Sequence, residues 1–257
     1  MARQRRHNKP KRRRGRFGGL YKLLSVLLAA AAIIVACVVF FRVNTIEVTG
    51  NVRYTAEEII EASGIKMGDN LIALSGSHVS ASIRTQLPYV EGVSLQRAYP
   101  DGLVIRVTER VAAASVASAE GRWLISAQGK LLEKDNGTIQ AIQITGLTAV
   151  GPYAGGMLQT TEEESLTLDY VKELLSVLES NGMLDQCTVL DCTSAISMTL
   201  NYSIYRLRLP RGGDFEYYIQ LARSALTQGL EEGKLQEGQS GVLDLTVADG
   251  KAYFRSD

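Results

Sequence analysis

The sequence predicts an α+β protein that is anchored by a single N-terminal transmembrane helix. Residues 23–41 contain no charged side chain, and as a helix these 19 residues would span about 28 Å, close to the ~30 Å hydrocarbon core of a bilayer. Residues 43–110 show the order strand, helix, helix, strand, strand. Residues 111–257 are rich in strand patterns and are interrupted by two helical segments.

Charge on the two sides of the apolar segment predicts its orientation. Ten of the first 22 residues are Lys or Arg and none is acidic, whereas Arg42 alone flanks the other end. Because basic residues are retained on the cytoplasmic side of a membrane helix, we expect a cytoplasmic arm over residues 1–22, a helix over 23–41 and an extracytoplasmic remainder. A cleaved secretory signal is the alternative, since residues 29–32 are small, but its apolar region is usually only about 7–15 residues long.

The part of the chain beyond the arm is acidic and poor in cysteine. It holds 18 basic and 27 acidic residues, a net charge of −9, which gives no electrostatic reason to bind nucleic acid. Cys187 and Cys192 lie outside the apolar segment, so at most one disulfide is possible there. On one strand their odd separation would place them on opposite faces. We therefore expect two free, partly buried thiols.

The first folded region is predicted to begin with a strand and a capped helix. Residues 43–49 alternate apolar and polar side chains and stop at Gly50, as expected of a strand that enters a turn. Thr55 stands three residues before Glu58, which is the spacing of a capping box. Gly64 is suited to end the helix that follows.

A second helix and a β-hairpin are predicted to complete this region. The helix should begin at Ser75 or Ser77 and end before Pro88, with an apolar stripe formed by Val79, Ile83 and Leu87. The turn Pro100-Asp101-Gly102 then joins two alternating segments. Ile105 is predicted to face the core, and the two helices can cover one face of a small three-stranded sheet.

Residues 111–257 predict a second, larger sheet with helices packed on it. Strand patterns occur at 112–118, 122–126, 130–133, 142–144, 188–190, 196–200, 204–209, 242–247 and 251–254. One helix is predicted to follow a second capping box at Thr161 and Glu164, with Val171, Leu174, Leu175 and Leu178 facing inward, and to end at Asn181. Another is predicted over 215–228, with Tyr218, Leu221, Ala222, Ala225 and Leu226 on one side. The last two strands should form a hairpin through the turn Ala248-Asp249-Gly250.

Motifs of catalysis are weak or missing. Ser63 and Lys66 match the S-x-x-K pattern of penicillin-interacting enzymes, but that pattern needs one helical turn, Gly64 at a helix end disfavours it, and no S-D-N or K-T-G follows. The chain also lacks G-x-S-x-G, Walker A and H-E-x-x-H sequences, and His7 and His78 are predicted on opposite sides of the membrane. We therefore expect no enzyme activity, no metal and no cofactor.

Several segments carry motifs that are typical of one protein family. They are VNTIEVTGN at 43–51, GDNL at 68–71, LPYV at 87–90 and YPDGLVIRVTER at 99–110. These segments resemble the POTRA module of the FtsQ/DivIB family of bacterial cell-division proteins. The segment WLISAQGK at 123–130 resembles the hairpin that opens the family's β domain, although Asp is more usual where Ser126 stands.

The resemblance implies a POTRA module (β-α-α-β-β) over residues 43–110 and a β domain over 111–257. It implies a non-enzymatic divisome scaffold in the cell membrane at the division septum, which helps to control septal peptidoglycan synthesis. The implied partners are FtsL-like and DivIC/FtsB-like coiled-coil division proteins and other divisome components. In the family the C-terminal strands of the β domain carry much of the partner contact. Carried over to this chain, the implied partner-binding residues are Gly241, Val242, Leu243, Asp244, Lys251, Ala252, Tyr253 and Phe254.

Two other functions are compatible with a membrane anchor. A POTRA-bearing assembly or translocation factor is disfavoured by the single module and by an N-terminal anchor in place of a C-terminal β-barrel. A membrane-tethered wall hydrolase is disfavoured by the missing nucleophile motif. For the scaffold, we expect the strand over 251–254 to be a sheet edge that pairs with a segment of a partner, since an unpaired edge can be completed by another chain.

Overall fold

The computed structural model describes residues 18–236, 238–247 and 250–256. Most of the predicted cytoplasmic arm, residues 1–17, lies outside this part of the chain, as do Ala248 and Asp249 of the predicted turn. Within the described residues the fold is α+β, with an N-terminal apolar helix, a three-stranded sheet and a nine-stranded sheet. The predicted fold class is therefore confirmed.

The N-terminal helix α1, Gly18–Phe40, is long and apolar enough to cross a membrane. An 18-residue stretch of this helix has a mean hydropathy of 3.0, and among the described residues no other helix is both long and apolar enough to span a membrane. The chain directly after it pairs with a loop of the first folded region. The N–H of Leu71 donates to the carbonyl of Phe41 at 2.8 Å, and the N–H of Val43 donates to the carbonyl of Asp69 at 2.9 Å. The GDNL segment thus attaches the folded region to the end of the anchor.

The first folded region is a three-stranded sheet covered by two helices. Its order is β1-β3-β2, in which β3 is central, parallel to β1 and antiparallel to β2. This is the predicted strand, helix, helix, strand, strand arrangement. The elements are β1 Thr45–Thr49, α2 Ala56–Ser63, α3 Gly76–Gln86, β2 Val90–Ala98 and β3 Gly102–Glu109.

Local signals in this region agree with the prediction. Thr55 and Glu58 form a complete capping box, and Gly64 ends α2 with φ of 70°. Ser75 caps α3. Ile105 is fully buried at the centre of β3, where it faces an apolar core made by the sheet and both helices. That core comprises Val43, Ile59, Ala62, Ile65, Leu71, Val79, Ile83, Val90, Leu103, Ile105 and Val107.

The second folded region is built on one mixed sheet. Its order is β12-β11-β10-β9-β8-β7-β4-β5-β6. The pairs β4 with β7, β7 with β8 and β10 with β11 are parallel, and the others are antiparallel. The strands are β4 Ala114–Ser118, β5 Gly121–Ile125, β6 Leu131–Lys134, β7 Ile142–Ala149, β8 Cys187–Asp191, β9 Ser197–Tyr202, β10 Tyr205–Pro210, β11 Gly241–Asp244 and β12 Tyr253–Ser256.

Two helices bury their apolar faces in the core of this sheet, α4 over Ser165–Ser180 and α5 over Phe215–Glu231. The inward residues of α4 are Val171, Leu174, Leu175 and Leu178, as predicted. The five predicted residues of α5 all contact the core, as predicted. The most deeply buried residues of the helix are Phe215, Ile219, Ala222 and Leu226. Phe215 and Ile219 lie four residues apart and add the largest apolar side chains to that stripe, so they set the face that packs inward.

The second predicted capping box is wrong. Glu162–Glu164 forms a short 3₁₀ turn before α4, and the Thr161 side chain makes no capping hydrogen bond. The carboxylate of Glu164 instead accepts the N–H of Thr148 at 3.2 Å. Because Thr148 lies near the end of β7, this carboxylate connects the start of α4 to the sheet.

The two cysteines are free and buried, but they do not face opposite sides of the sheet. Both belong to the same core. Cys192 follows the last residue of β8, and the pairing of β8 with β9 shifts register between Cys187 and Leu190. Strict alternation therefore does not relate the two residues. Burial raises the pKa of each thiol to about 12, so both are protonated and unreactive at neutral pH.

The two folded regions pack together at the β6 end of the large sheet. Leu124 and Leu132 point away from the helix-covered core and form a small cluster with Tyr89 of the first region. The Tyr89 hydroxyl donates to Glu133 Oε1 at 2.7 Å, and Arg53 Nη2 forms an ion pair with the same oxygen at 2.7 Å. Burial, together with the hydrogen bond to Glu133, raises the pKa of Tyr89, so it remains a donor.

Candidate partner-binding edge

The last two strands form the end of the large sheet that lies farthest from this contact. β11 is parallel to β10, with Gly241 opposite Tyr205, and β12 is antiparallel to β11. In the described part of the chain, β12 is the final strand of the order. Eight strand spacings separate it from β6, which corresponds to about 38 Å. An end strand turns one row of main-chain N–H and C=O groups away from its sheet, and another chain can pair with that row.

The inner face of this end is held by close apolar packing. Leu243 is 2% exposed, and Phe254 lies opposite it on β12. The rings of Phe254 and Tyr205 meet edge to face with 6.3 Å between centroids. A Cβ at Gly241 would lie 2.5 Å from the Phe254 ring. Glycine at position 241 therefore allows the Phe254 ring to dock, and this ring holds β12 against the sheet.

The outer face of the same end is mostly basic. Alternation places Val242, Asp244, Tyr253, Arg255, Arg206 and Arg208 on this face. Asp244 forms an ion pair with Arg208 at 3.5 Å and accepts both the N–H and the hydroxyl of Thr246. Burial alone would raise the pKa of Asp244, but the hydrogen bonds from Thr246 and the charges of Arg208 and Arg255 hold it below its usual value. The face therefore carries three arginines and one carboxylate that is charged at neutral pH.

The structure brings the predicted site residues together, with different strand limits. Gly241, Val242, Leu243 and Asp244 make up β11, and Tyr253 and Phe254 begin β12. Lys251 and Ala252 precede β12, which starts two residues later than predicted and continues to Ser256. β11 ends at Asp244 because its carboxylate accepts the Thr246 N–H and turns the chain. The connection is consequently longer than a tight two-residue hairpin.

Several residues of this edge were not predicted from the sequence. Tyr205 supplies the ring on which Phe254 packs, while Arg208 and Arg255 carry most of the outer charge near Asp244. The alternation of Arg206 and Arg208 with Leu207 and Leu209 was a usable signal, because it marks a strand with one basic face. Nothing local in the sequence indicated that β10 would lie next to β11, since 30 residues separate those strands.

The weak catalytic motif is not assembled. Ser63 is the last residue of α2, and its hydroxyl donates to the carbonyl of Ile60. Gly64 then adopts a left-handed conformation, so Lys66 lies beyond the helix end and not one turn along it. Among the described residues no group of three or more His, Cys, Asp or Glu side chains could hold a metal ion.

Comparison with known proteins identifies the first folded region. The profile described as "POTRA domain, FtsQ-type" matches residues 41–110, which contain β1, α2, α3, β2 and β3. The chain is 22% identical over 248 residues to the cell division protein DivIB of Clostridium botulinum, an alignment that covers 96% of this chain and 94% of the relative. These matches support assignment of the chain to the FtsQ/DivIB family.

Other relatives have the same two names. The cell division protein FtsQ of Corynebacterium glutamicum is 30% identical over 121 residues, which are 47% of this chain and 54% of the relative, so the match spans about half of that protein. The cell division protein DivIB of Clostridium tetani is 23% identical over 205 residues, or 79% of this chain and 76% of the relative. These relatives support a role in cell division.

Proposed function

We propose that the protein is a non-enzymatic scaffold of the divisome, anchored in the cytoplasmic membrane, which binds other division proteins and helps to control septal peptidoglycan synthesis. The observation that carries this proposal is the position of β12 as the last strand of the large sheet. It leaves a strand edge about 38 Å from the contact between the two folded regions. Similarity to cell division proteins named FtsQ and DivIB supports a role in division.

The proposed partners are FtsL-like and DivIC/FtsB-like coiled-coil division proteins. A segment of one of them would add a strand beside β12, with main-chain hydrogen bonds supplying affinity. The arginines on the outer face, Arg208 and Arg255, would favour a partner segment that carries acidic side chains. Tyr253 is 47% exposed and offers apolar area to such a segment.

The proposed topology places residues 1–22 in the cytoplasm and the two folded regions outside. Protease added to intact protoplasts is expected to degrade the chain beyond about residue 43 and to leave a small membrane-protected fragment, because ten basic residues oppose the single Arg42 across the helix. Mass analysis of the fragment measures the boundary. A folded region that resists protease until the membrane is lysed would contradict this topology.

A pull-down of the intact protein from membranes, with bound proteins identified, tests the scaffold role. Capture of coiled-coil division proteins is expected. The hydrolase alternative predicts release of products when the purified protein is incubated with wall precursors, and the assembly-factor alternative predicts capture of many unfolded polypeptides with no preference for division proteins. Either of those results without coiled-coil capture would contradict the proposal.

A further inference from the structure

A second surface lies at the junction of the two folded regions, at the other end of the large sheet from β12. A cavity of about 590 Å³ opens there. Its walls come from α3, from the residue after β3, from the residue before β6 and from the loop over 151–157. The residues that line it include Arg84, Thr85, Arg110, Lys130, Tyr153 and Met157.

Among the described residues, the lining of this cavity has three cations and no carboxylate. The Nε of Arg110 is buried and has no hydrogen-bond partner in the described residues. The side chain of Lys130 is largely buried, and its Nζ donates to the main-chain carbonyl of Arg84 at 3.3 Å. The guanidinium of Arg84 makes no hydrogen bond or ion pair within the described part of the chain.

The unpartnered Nε of Arg110 and the repulsion among the three cations are each unfavourable. A buried donor without an acceptor is unfavourable, and buried polar groups in folded proteins are nearly always satisfied. Burial lowers the pKa of Lys130, and the charges of Arg110 and Arg84 lower it further. An anion seated among the three side chains would provide the missing acceptor and offset the repulsion between them.

We propose that this cavity binds a carboxylate-bearing segment of a partner protein. The cations would hold the carboxylates, with bidentate contacts from the arginines. Tyr153 and Met157 are 67% and 55% exposed at the rim and would contact apolar side chains that flank the acids. A partner bound here would contact both folded regions at once, because Arg84 and Arg110 belong to the first and Lys130 to the second.

The position of the cavity favours a protein segment over a lipid headgroup. The start of β3 lies near the end of the anchor, since the carbonyl of Asp101 accepts the N–H of Asn44 at 2.9 Å. β3 has eight residues, so Arg110 at its far end lies roughly 25 Å from Gly102 along the strand. Phospholipid headgroups around α1 are therefore remote from the three cations.

The test uses the full chain in phosphatidylcholine nanodiscs, with Thr85→Cys carrying an environment-sensitive fluorophore in the cavity. The probe is the peptide acetyl-Glu-Glu-Glu-Phe-amide. A saturable fluorescence change is expected when the acidic peptide is added. The matched Gln-Gln-Gln-Phe peptide should bind at least tenfold more weakly, and the Arg84→Gln variant should bind the acidic peptide at least tenfold more weakly than the parent protein does. Arg84→Gln should fold normally, because its exposed side chain has no partner to lose. Lys130→Met provides a second variant with the same expected loss.

Two controls separate this site from diffuse attraction and from a site for free anions. The change Arg12→Gln, Arg13→Gln, Arg14→Gln removes three charges from the arm and should leave the fluorescence titration unchanged. Inorganic phosphate should bind at least tenfold more weakly than the acidic peptide. The proposal is overturned by the lack of a saturable signal, by equal binding of the two peptides, by insensitivity to both cavity variants, or by phosphate binding as tightly as the peptide.

Discussion

Replacing Ile105 with Asp is expected to unfold the three-stranded sheet of the POTRA domain. Ile105 is fully buried at the centre of β3, where it lies opposite Val48 of β1 and Leu95 of β2. Loss of a buried isoleucine typically costs about 2–5 kcal/mol, and burial of an unpaired carboxylate adds several kcal/mol more. The total is comparable to the whole stability of a small domain, about 5–15 kcal/mol. Hydrogen exchange of the full chain should show loss of protection over residues 43–110.

The matched control is Arg106→Asp in the adjacent position. Arg106 points to the opposite face of β3 and is exposed, so the same carboxylate there stays in water and should change the free energy of unfolding by less than about 1 kcal/mol. A larger effect of Arg106→Asp than of Ile105→Asp would show that the register of β3 is shifted by one residue, since such a shift exchanges the two faces. Equal effects would contradict the burial of Ile105.

Loss of β12 is expected to abolish partner binding. Deletion of residues 251–257 removes the edge strand and should reduce capture of the coiled-coil partner to background, while membrane insertion and the POTRA domain remain intact. Single proline substitutions along β12 should alternate in effect, with every second position affecting partner binding and the positions between them affecting stability. N–H groups at 253 and 255 point to one side of the strand and those at 252, 254 and 256 to the other, so one set pairs with β11 and the other set faces outward.

Proline at an outward-facing position other than Phe254, whose ring holds β12 against the sheet, should weaken binding at least tenfold with little change in the unfolding midpoint, because it removes a main-chain donor from the outer edge of β12. Proline at the other positions should lower the midpoint, because it breaks pairing with β11. Lys134→Pro on β6, the opposite edge of the sheet, and Lys172→Ala on α4 are controls that should retain capture. If the protein without residues 251–257 binds its partner with wild-type affinity, the interface does not lie at β12.

Local signals predicted the POTRA domain better than the larger sheet. The capping box at Thr55, the glycine end of α2 and the alternation around Ile105 depend on neighbours a few residues away, and each was found as predicted. In the second region the strands were recognised, but their order was not, because parallel pairs such as β10 with β11 join segments that are distant in sequence.

The strand limits in the candidate edge were predicted wrongly for the same reason. The limits of β11 and β12 depend on the turn at Asp244 and on packing between Gly241 and Phe254, which appear only when the strands are paired. The cation cluster of Arg84, Arg110 and Lys130 was not foreseen at all. Its members come from three separate segments that meet where the two folded regions pack.

Site-specific photocrosslinking in dividing cells tests the central claim most directly. A photoreactive phenylalanine analogue placed at Arg255, on the outer face of β12, should crosslink to an FtsL-like or DivIC/FtsB-like partner. The same analogue at Lys134, on the opposite edge strand β6, should give no such product. Crosslinks to the coiled-coil partner from Lys134 but not from Arg255 would contradict the assignment of β12 as the binding edge.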